Sequence, residues 1–369
     1  MTRPLRHGYT TGACAAAAAT GAARMLREQR SVEEIEITLP HGERVTFRLQ
    51  GEEFDERSAS CFVVKDAGDD PDVTNGAEIH AMVRREPLNR PGARTMVFVR
   101  GGRGVGKATK PGLAVAVGEP AINPVPLRMI TEGVREEFPV ACLPQLLTVT
   151  ISIPNGEELA KKTLNARLGI VGGLSILGTT GIVKPISAKA WTDTLDAALD
   201  VARACGSETV VLSTGRTSEL AAQHFFGTGG EGAGSGRNLP EETFVMMGDH
   251  VGYALRASAR KGVRRAILAG QFAKLLKIAC GHEQTHVSSS ALDLRELAAW
   301  VAETPHAARL TPLVRRANTA RQVLEESGND PFLMALVCSR ARDAAQRLAP
   351  GIEIEVLLAG YAAAVLYSG

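Results

Sequence analysis

Three stretches of this chain gather residue types that can do chemistry at close spacing. Gly101-Gly102-Arg103-Gly104-Val105-Gly106-Lys107 follows a predicted strand and approaches a phosphate-binding loop, with Gly101, Gly106 and Lys107 correctly spaced. Ala108 stands where that motif needs a hydroxyl for magnesium, and Pro111-Gly112 stand where it needs a helix N-terminus. Nucleotide hydrolysis is therefore excluded. What remains is a turn, or a loop that offers Arg103 and Lys107 to carboxylates. Asp66-Ala67-Gly68-Asp69-Asp70-Pro71-Asp72 packs four carboxylates into one turn, with Thr74 and Gly76 behind it. Calcium is the sharper reading, but the terminal glutamate of an EF-hand is missing. A turn held by its own hydrogen bonds is preferred.

The third stretch is spread over three strand ends, Ser213-Thr214-Gly215-Arg216, Gly248-Asp249-His250 and Gly270-Gln271. Ligands of open parallel sheets bind beyond the carboxyl ends of the strands, where helix N-termini point. Asp249 suits ribose hydroxyls there, or it caps the following helix. No GxGxxG precedes these residues, so dinucleotide and ATP readings are weak. Lys274 and Lys277 follow on one helix, with His286 and Asp293 beyond; they form a solvated face or reach an anionic ligand.

Two small-residue segments suit close approach. Thr10-Thr11-Gly12-Ala13-Cys14 opens a helix that runs through Ala15–Ala19. Thr10 or Thr11 can cap it, and its alanines offer closeness rather than apolar area. Asn165 to Ser187 interleaves apolar residues with glycines beside Ser175, Thr179 and Thr180. It reads equally as a buried connector and as backbone that touches a ligand.

Composition narrows the classes. Net charge is +2, with 42 basic against 40 acidic side chains, and aromatics make up 4%, which argues against nucleic acid as a partner. The six cysteines (Cys14, Cys61, Cys142, Cys205, Cys280, Cys338) are scattered, with no CxxC pair and no metal-ligand spacing, so a reducing compartment is expected and no metal site. The alanine run is followed at once by Arg24, Arg27 and Arg30, which argues against an export signal. No stretch is long and apolar enough for a membrane span, and a cytoplasmic protein is expected.

The elements that must position these residues change rhythm along the chain. Strands are predicted at Glu34–Leu39, Val45–Leu49, Cys61–Lys65, Ala77–Arg84, Thr95–Arg100 and Leu147–Ile153, with helices at Pro126–Phe138 and Glu157–Leu164. From Ala190 on, short apolar strands alternate with helices, which predicts a parallel sheet covered on both faces. The last strand is predicted at Ile352–Leu358. The boundary falls near Lys184-Pro185. The expectation is an α+β domain over 1–185 and an α/β domain with a short parallel sheet over 186–369.

These segments, taken in order, resemble one family, the CbiD family of anaerobic cobalamin biosynthesis. The motifs are LRHGYTTGACAAAAA from Leu5, DAGDDPDVTNG from Asp66, GRGVGKATKPGL from Gly102, GEPAINPVP from Gly118, LGIVGGLSILGTTGIVKP from Leu168 and MGDHVG from Met247. The chain departs from the family's pattern at Gln271, where a histidine is expected, at Ala273, where a glycine is expected, and at Val287, where a serine is expected. The resemblance implies a first domain related by permutation to a ribosomal-protein-like split βαβ fold, and a second with a short parallel sheet. It implies methyl transfer from S-adenosylmethionine to C1 of cobalt-precorrin-5B, giving cobalt-precorrin-6A, with cobalt entering only as part of the substrate. No nucleophilic side chain is needed, and no catalytic residue is assigned. The donor is expected at Thr214, Gly215, Gly248 and Asp249. The macrocycle is expected between the domains, bound by Thr10, Thr11, Arg103, Lys107, Lys274, Lys277 and His286, with the alanine helix and Gly172-Gly173 as small-residue surfaces. Transient contact with neighbouring pathway enzymes fits an unstable product. A corrinoid carrier that does no chemistry is the alternative.

Overall fold

The structure, a computed structural model, describes residues 4–87, 95–139, 145–227 and 236–369; Cys142 lies outside them. The chain divides into two units, Met1–Ser187 and Ala188–Gly369, each with its own sheet. Among the described residues no helix is long and apolar enough to cross a membrane.

The first unit is organised around α1 (Thr11–Glu28). Thr10 caps it, its Oγ1 accepting from the Ala13 amide at 3.2 Å, and every residue from Ala13 to Ala19 is at most 2% exposed. Strands β1 (Glu34–Thr38) and β2 (Arg44–Arg48) form a hairpin. Strands β3 (Gln50–Phe54), β4 (Ser58–Val64), β5 (Glu78–Pro87), β6 (Met96–Gly101) and β7 (Gln145–Ser152) form a sheet in the order β3-β4-β5-β7-β6. All neighbours are antiparallel except β6 and β7, which run parallel because α2 (Pro124–Glu136) lies between them in the chain. A one-turn helix, α3 (Gly156–Ala160), follows β7.

Strand alternation sends Ala59, Cys61, Ile79, Ala81, Val83, Leu147, Val149 and Ile151 to one face, where α1 and α2 cover them. Small residues set how closely those helices dock. The Cys61 thiol donates to the Ala18 carbonyl at 3.2 Å, and a Cβ on Gly12 or Gly133 would meet Pro126 Cγ at 2.5 Å or Thr20 Oγ1 at 2.2 Å. The alanine face therefore meets the sheet, α2 and, at its first turn, the connector at Leu177. This corrects the expectation that the alanines offer a surface to a macrocycle.

The second unit alternates as its sequence suggests. In chain order it comprises α4 (Ala188–Ala204), β8 (Thr209–Ser213), α5 (Arg216–Phe226), β9 (Phe244–Met246), α6 (Val251–Arg260), β10 (Arg265–Gln271) and α7 (Phe272–Ala279). Four helices follow, α8 (Leu294–Ala302), α9 (Ala307–Arg316), α10 (Ala320–Glu326) and α11 (Pro331–Leu348), before β11 (Glu353–Ala359). The sheet order is β9-β8-β10-β11-β12, parallel through β11. The last strand is not β11 but β12 (Val365–Ser368), an antiparallel edge that the short, polar-ended VLYS run did not announce. Both faces are covered. Helices α4, α6, α7 and α11 share a core with Val210 and Leu212, while α5 packs on Val211 and Ile267.

Candidate functional site

The order β9-β8-β10 creates a switch point in the second unit. The chain leaves β8 through α5 towards β9 on one side, then returns through α6 to β10 on the other side of β8. Helices on opposite faces part at the carboxyl ends of β8 and β10, and such crevices receive ligands in open α/β sheets. Thr214 and Gly215 end β8, and Gly270 and Gln271 end β10. The two ends are joined by the Thr214 amide donating to the Ala269 carbonyl at 3.0 Å.

Gly215 also caps α5, which has no side-chain cap. A Cβ built on Gly215 would meet nothing within 4 Å, so there is open space beside the free first-turn amides of that helix. At the same strand end the Ser213 hydroxyl is fully buried, and its Oγ has no hydrogen-bond partner among the described residues. The Thr214 hydroxyl is nearly buried and meets Ser218 Oγ at 3.4 Å. Gly248 behaves differently. Its φ of +58° requires glycine, and a Cβ there would lie 2.9 Å from the Trp191 ring, whose Nε1 donates to the Met247 carbonyl at 3.0 Å. Gly248 is packed beneath Trp191 rather than open to a ligand.

Asp249, Lys274 and Lys277 converge on Thr285. The Thr285 hydroxyl donates to Asp249 Oδ1 at 2.5 Å, and its amide donates to the Asp249 carbonyl at 3.1 Å. The Lys274 ammonium pairs with the same Oδ1, and Lys274 and Lys277 both donate to the Thr285 carbonyl, at 3.1 and 3.0 Å. Asp249 Oδ2 keeps no hydrogen-bond partner among the described residues. Burial alone would raise the Asp249 carboxyl, but the hydrogen bonds from Lys274 and Thr285 outweigh it and hold the group below the usual carboxylate range. Burial, reinforced by the neighbouring Lys274 charge, pushes the Lys277 ammonium below the usual lysine range. The two lysines expected to face carboxylates are thus brought together, but turned inward. They fasten the segment around Thr285 to the end of β9. His286 is exposed beside them, with Nδ1 at 2.7 Å from Ser288 Oγ.

In the first unit, Thr10 and Thr11 are buried and engaged. Thr11 Oγ1 donates to the Ser175 carbonyl at 3.1 Å and accepts from the Leu177 amide at 3.0 Å. The Gly101–Lys107 loop is a braid of backbones. Gly104-Val105 pairs in parallel with Gly173-Leu174, and Lys107-Ala108 pairs with Ile170-Val171. A Cβ on Gly104 would sit 1.9 Å from the Ile153 carbonyl oxygen, and one on Gly173 would sit 2.2 Å from the Gly104 oxygen. The loop amides of Gly102, Val105 and Gly106 all donate to backbone carbonyls, so none points at a phosphate. Arg103 and Lys107 remain exposed, without a side-chain partner among the described residues.

Each carboxylate of the acidic turn has a hydrogen-bond partner within the first unit. Asp66 takes both arms of Arg6 at 2.5 and 2.8 Å, Asp69 accepts the Arg6 amide, and Asp70 accepts the Ile186 amide at 2.8 Å. Asp72 caps Thr74 and accepts from the buried Lys65 ammonium at 2.6 Å. It latches the chain entering α1 rather than holding a metal; among the described residues no cluster of metal-ligating side chains exists. Sequence reasoning missed Thr285, the hub of the second-unit cluster, and Trp191, the cover of Gly248. Thr285 lies 36 residues beyond Asp249, and no motif in the sequence links those two or points to Trp191. Sequence reasoning also missed a groove of about 480 Å³ in the first unit, walled by Val99, Pro120, Leu127, Arg128 and Arg135, which contains none of the residues predicted to bind.

Comparison with known proteins adds what geometry alone does not. The family model described as CbiD matches residues 1–185, and the one described as CbiD, C-terminal domain, matches residues 284–369. A Geobacter metallireducens protein named cobalt-precorrin-5B C(1)-methyltransferase is 78% identical, with all of both chains covered. A protein of the same name from Geobacter sulfurreducens is 77% identical over 100% of this chain and 99% of that one. Another from Geotalea daltonii is 63% identical over the whole of both. Among solved structures, the cobalamin biosynthesis protein (cbiD) from Archaeoglobus fulgidus is 31% identical over 76% of this chain and 81% of that chain, with a TM-score of 0.37.

Proposed function

The chain belongs to the CbiD family, and we propose that it transfers a methyl group to C1 of cobalt-precorrin-5B in cobalamin biosynthesis. The observation that carries this reading is 78% identity, without gaps in coverage at either end, to a protein of that name. S-Adenosylmethionine supplies an activated methyl group, and an electron-rich macrocycle supplies the carbon that accepts it. The protein's task is to hold the two in line, which can account for much of a rate enhancement without a nucleophilic side chain.

We read the crevice of the second unit as the donor site. Its support is the switch-point topology, the open space at Gly215, the orphaned Ser213 hydroxyl and the free Asp249 Oδ2. The Gly215 end of α5 takes the anionic part of the donor, with Thr214 beside it, and Asp249 accepts from its ribose hydroxyls. Lys274 and Lys277 are positioning residues that keep Thr285, and through it Asp249, in place. Gly248 belongs to this site only as the glycine that lets Trp191 close over the strand end. Arg103 and Lys107 are cations for acetate and propionate groups of the corrinoid. Thr10 and Thr11 serve by fixing the first turn of α1 to the connector. In the first unit, the β6-α2-β7 crossover is the βαβ element of the permuted ribosomal-protein-like reading.

The direct test incubates enzyme, substrate and methyl-labelled S-adenosylmethionine without oxygen and determines the mass of the corrinoid. One labelled methyl at C1 is the expected result. An unlabelled corrinoid recovered with the protein would leave only binding and overturn the reading.

A further inference from the structure

We propose that the open face of the first sheet is the platform on which the macrocycle lies; this rests on the corrinoid reading above. One face of that sheet is covered by α1 and α2. Residues of opposite parity point the other way and stay accessible, in register across four strands. Ser60, Met82, Thr150 and Arg100 form one row, and Ser58, Arg84, Thr148 and Phe98 form the next. Met82, on the middle strand, is 43% exposed and Phe98 is 60% exposed, with Met96 equally exposed beside it. Exposed thioethers and an aromatic ring grouped on one sheet face mark an interaction surface rather than scattered surface apolars. A third row adds the Phe62 and His80 rings, stacked with centroids 4.6 Å apart.

Shape and charge both select the occupant. Three rows on four strands span a field about 14 Å on a side, the breadth of a tetrapyrrole-sized ring. On these four strands the first two rows carry two guanidiniums and no carboxylate; the acidic groups lie at the border, Glu53 opposite Ser60, Asp55 accepting from the Ser58 hydroxyl and Glu78 against His80. Arg100 is steadied by its Nε donating to Thr150 Oγ1 at 2.8 Å, and Arg84 has no side-chain partner among the described residues. A planar ligand with apolar faces and a rim of carboxylates complements such a field. The field is also continuous with the one cationic loop that the sequence singles out. Gly102 rests on the same face, where a Cβ would lie 2.2 Å from Ser152 Oγ and 2.9 Å from Thr150 Cγ2. Arg103 therefore leaves the chain at the rim of the field. This gives Gly102 a purpose, since any side chain there would intrude on the end of the platform.

The test titrates hydrogenobyrinic acid, a metal-free corrin with free carboxylates and no axial ligand on either face, into the full chain and into Met82→Glu and Phe98→Glu. Each glutamate sets a like charge under the ligand, and each is expected to weaken binding roughly tenfold or more. Met82→Leu is expected to retain binding, and S-adenosylhomocysteine affinity is expected to be unchanged in all three. Phe98→Ser provides the same readout should a glutamate variant fail to fold. Unchanged corrin affinity in the Met82 and Phe98 variants of a chain that still methylates its substrate would overturn the platform and leave the function standing. A wild-type dimer that Phe98→Glu dissociates without changing corrin affinity would assign the face to a second copy, and would also overturn it. A wild-type chain that neither binds corrin nor transfers methyl would remove the function itself.

Discussion

The glycines at two strand ends do opposite jobs. At the end of β6, Gly104, Gly106 and the facing Gly173 are filled space, because an added Cβ would fall within 1.9–2.5 Å of other atoms at each. At the end of β8, Gly215 is empty space, with nothing within 4 Å. The first set lets three backbones lie against one another and consumes its own amides. The second leaves a helix N-terminus free. A glycine-rich strand end is thus a packing device or a ligand approach according to what already occupies the place of the missing side chain.

The largest effect separates these roles. Gly104→Ala combines a φ of +71° with collision against the Ile153 carbonyl, and should cost at least about 3 kcal/mol. A thermal melt should show collapse of the first unit or no soluble protein. A melt within about 2 °C of wild type would break the packing half of the comparison.

Next comes Asp249→Ala, which removes the open Oδ2 from the second-unit crevice. S-Adenosylhomocysteine binding by calorimetry should weaken about tenfold, the loss of a hydrogen bond to a charged group. Unchanged affinity would move the donor elsewhere.

Acid sharpens the contrast further. The bidentate hydrogen bond from Arg6 holds Asp66 below the usual range; at Asp72 the bond from Lys65 outweighs the opposing effect of burial. With folded values depressed, their contribution is full above the unfolded carboxylate range near about pH 4 and is lost as pH falls through the folded values. Asp72→Asn should therefore destabilise the protein at neutral pH and flatten its acid unfolding profile. An unchanged slope in that profile would contradict the latch.

The smallest effect belongs to Gly172→Ala, where φ is +82° but no atom lies within 4 Å of the new Cβ. Strain alone should cost about 1 kcal/mol. A loss as large as that at Gly104 would show that conformation, not filled space, governs these glycines.

Much of this was legible from residue order. The alternation of strands and helices from Ala190 on is found in the second unit, and the strand predicted at Ile352–Leu358 is β11 (Glu353–Ala359), because short apolar runs alternate there with amphipathic helices. The alternation in Ser58–Val64 marks one buried face. It cannot say that the opposite face is left open, since that depends on where α1 and α2 settle. Tertiary partners were the blind spot. Lys274 and Lys277 look like a solvated stripe until Thr285, eight residues beyond Lys277, turns back to accept both. The glycines from 101 to 106 mimic a phosphate loop because close backbone packing and phosphate binding demand the same residue. The departures at Gln271, Ala273 and Val287 place Gln271 at the end of β10, Ala273 in α7 and Val287 fully at the surface. Nothing in the structure explains the exchange at Val287.

Calorimetry of S-adenosylhomocysteine against Gly215→Val tests the central claim most directly. The backbone there is extended and the space is open, so the variant should fold with a melting temperature within about 2 °C of wild type. Valine methyls in that space should weaken the nucleoside by about tenfold or more. A folded Gly215→Val chain that binds it as tightly as wild type would contradict the assignment of this crevice to the methyl donor.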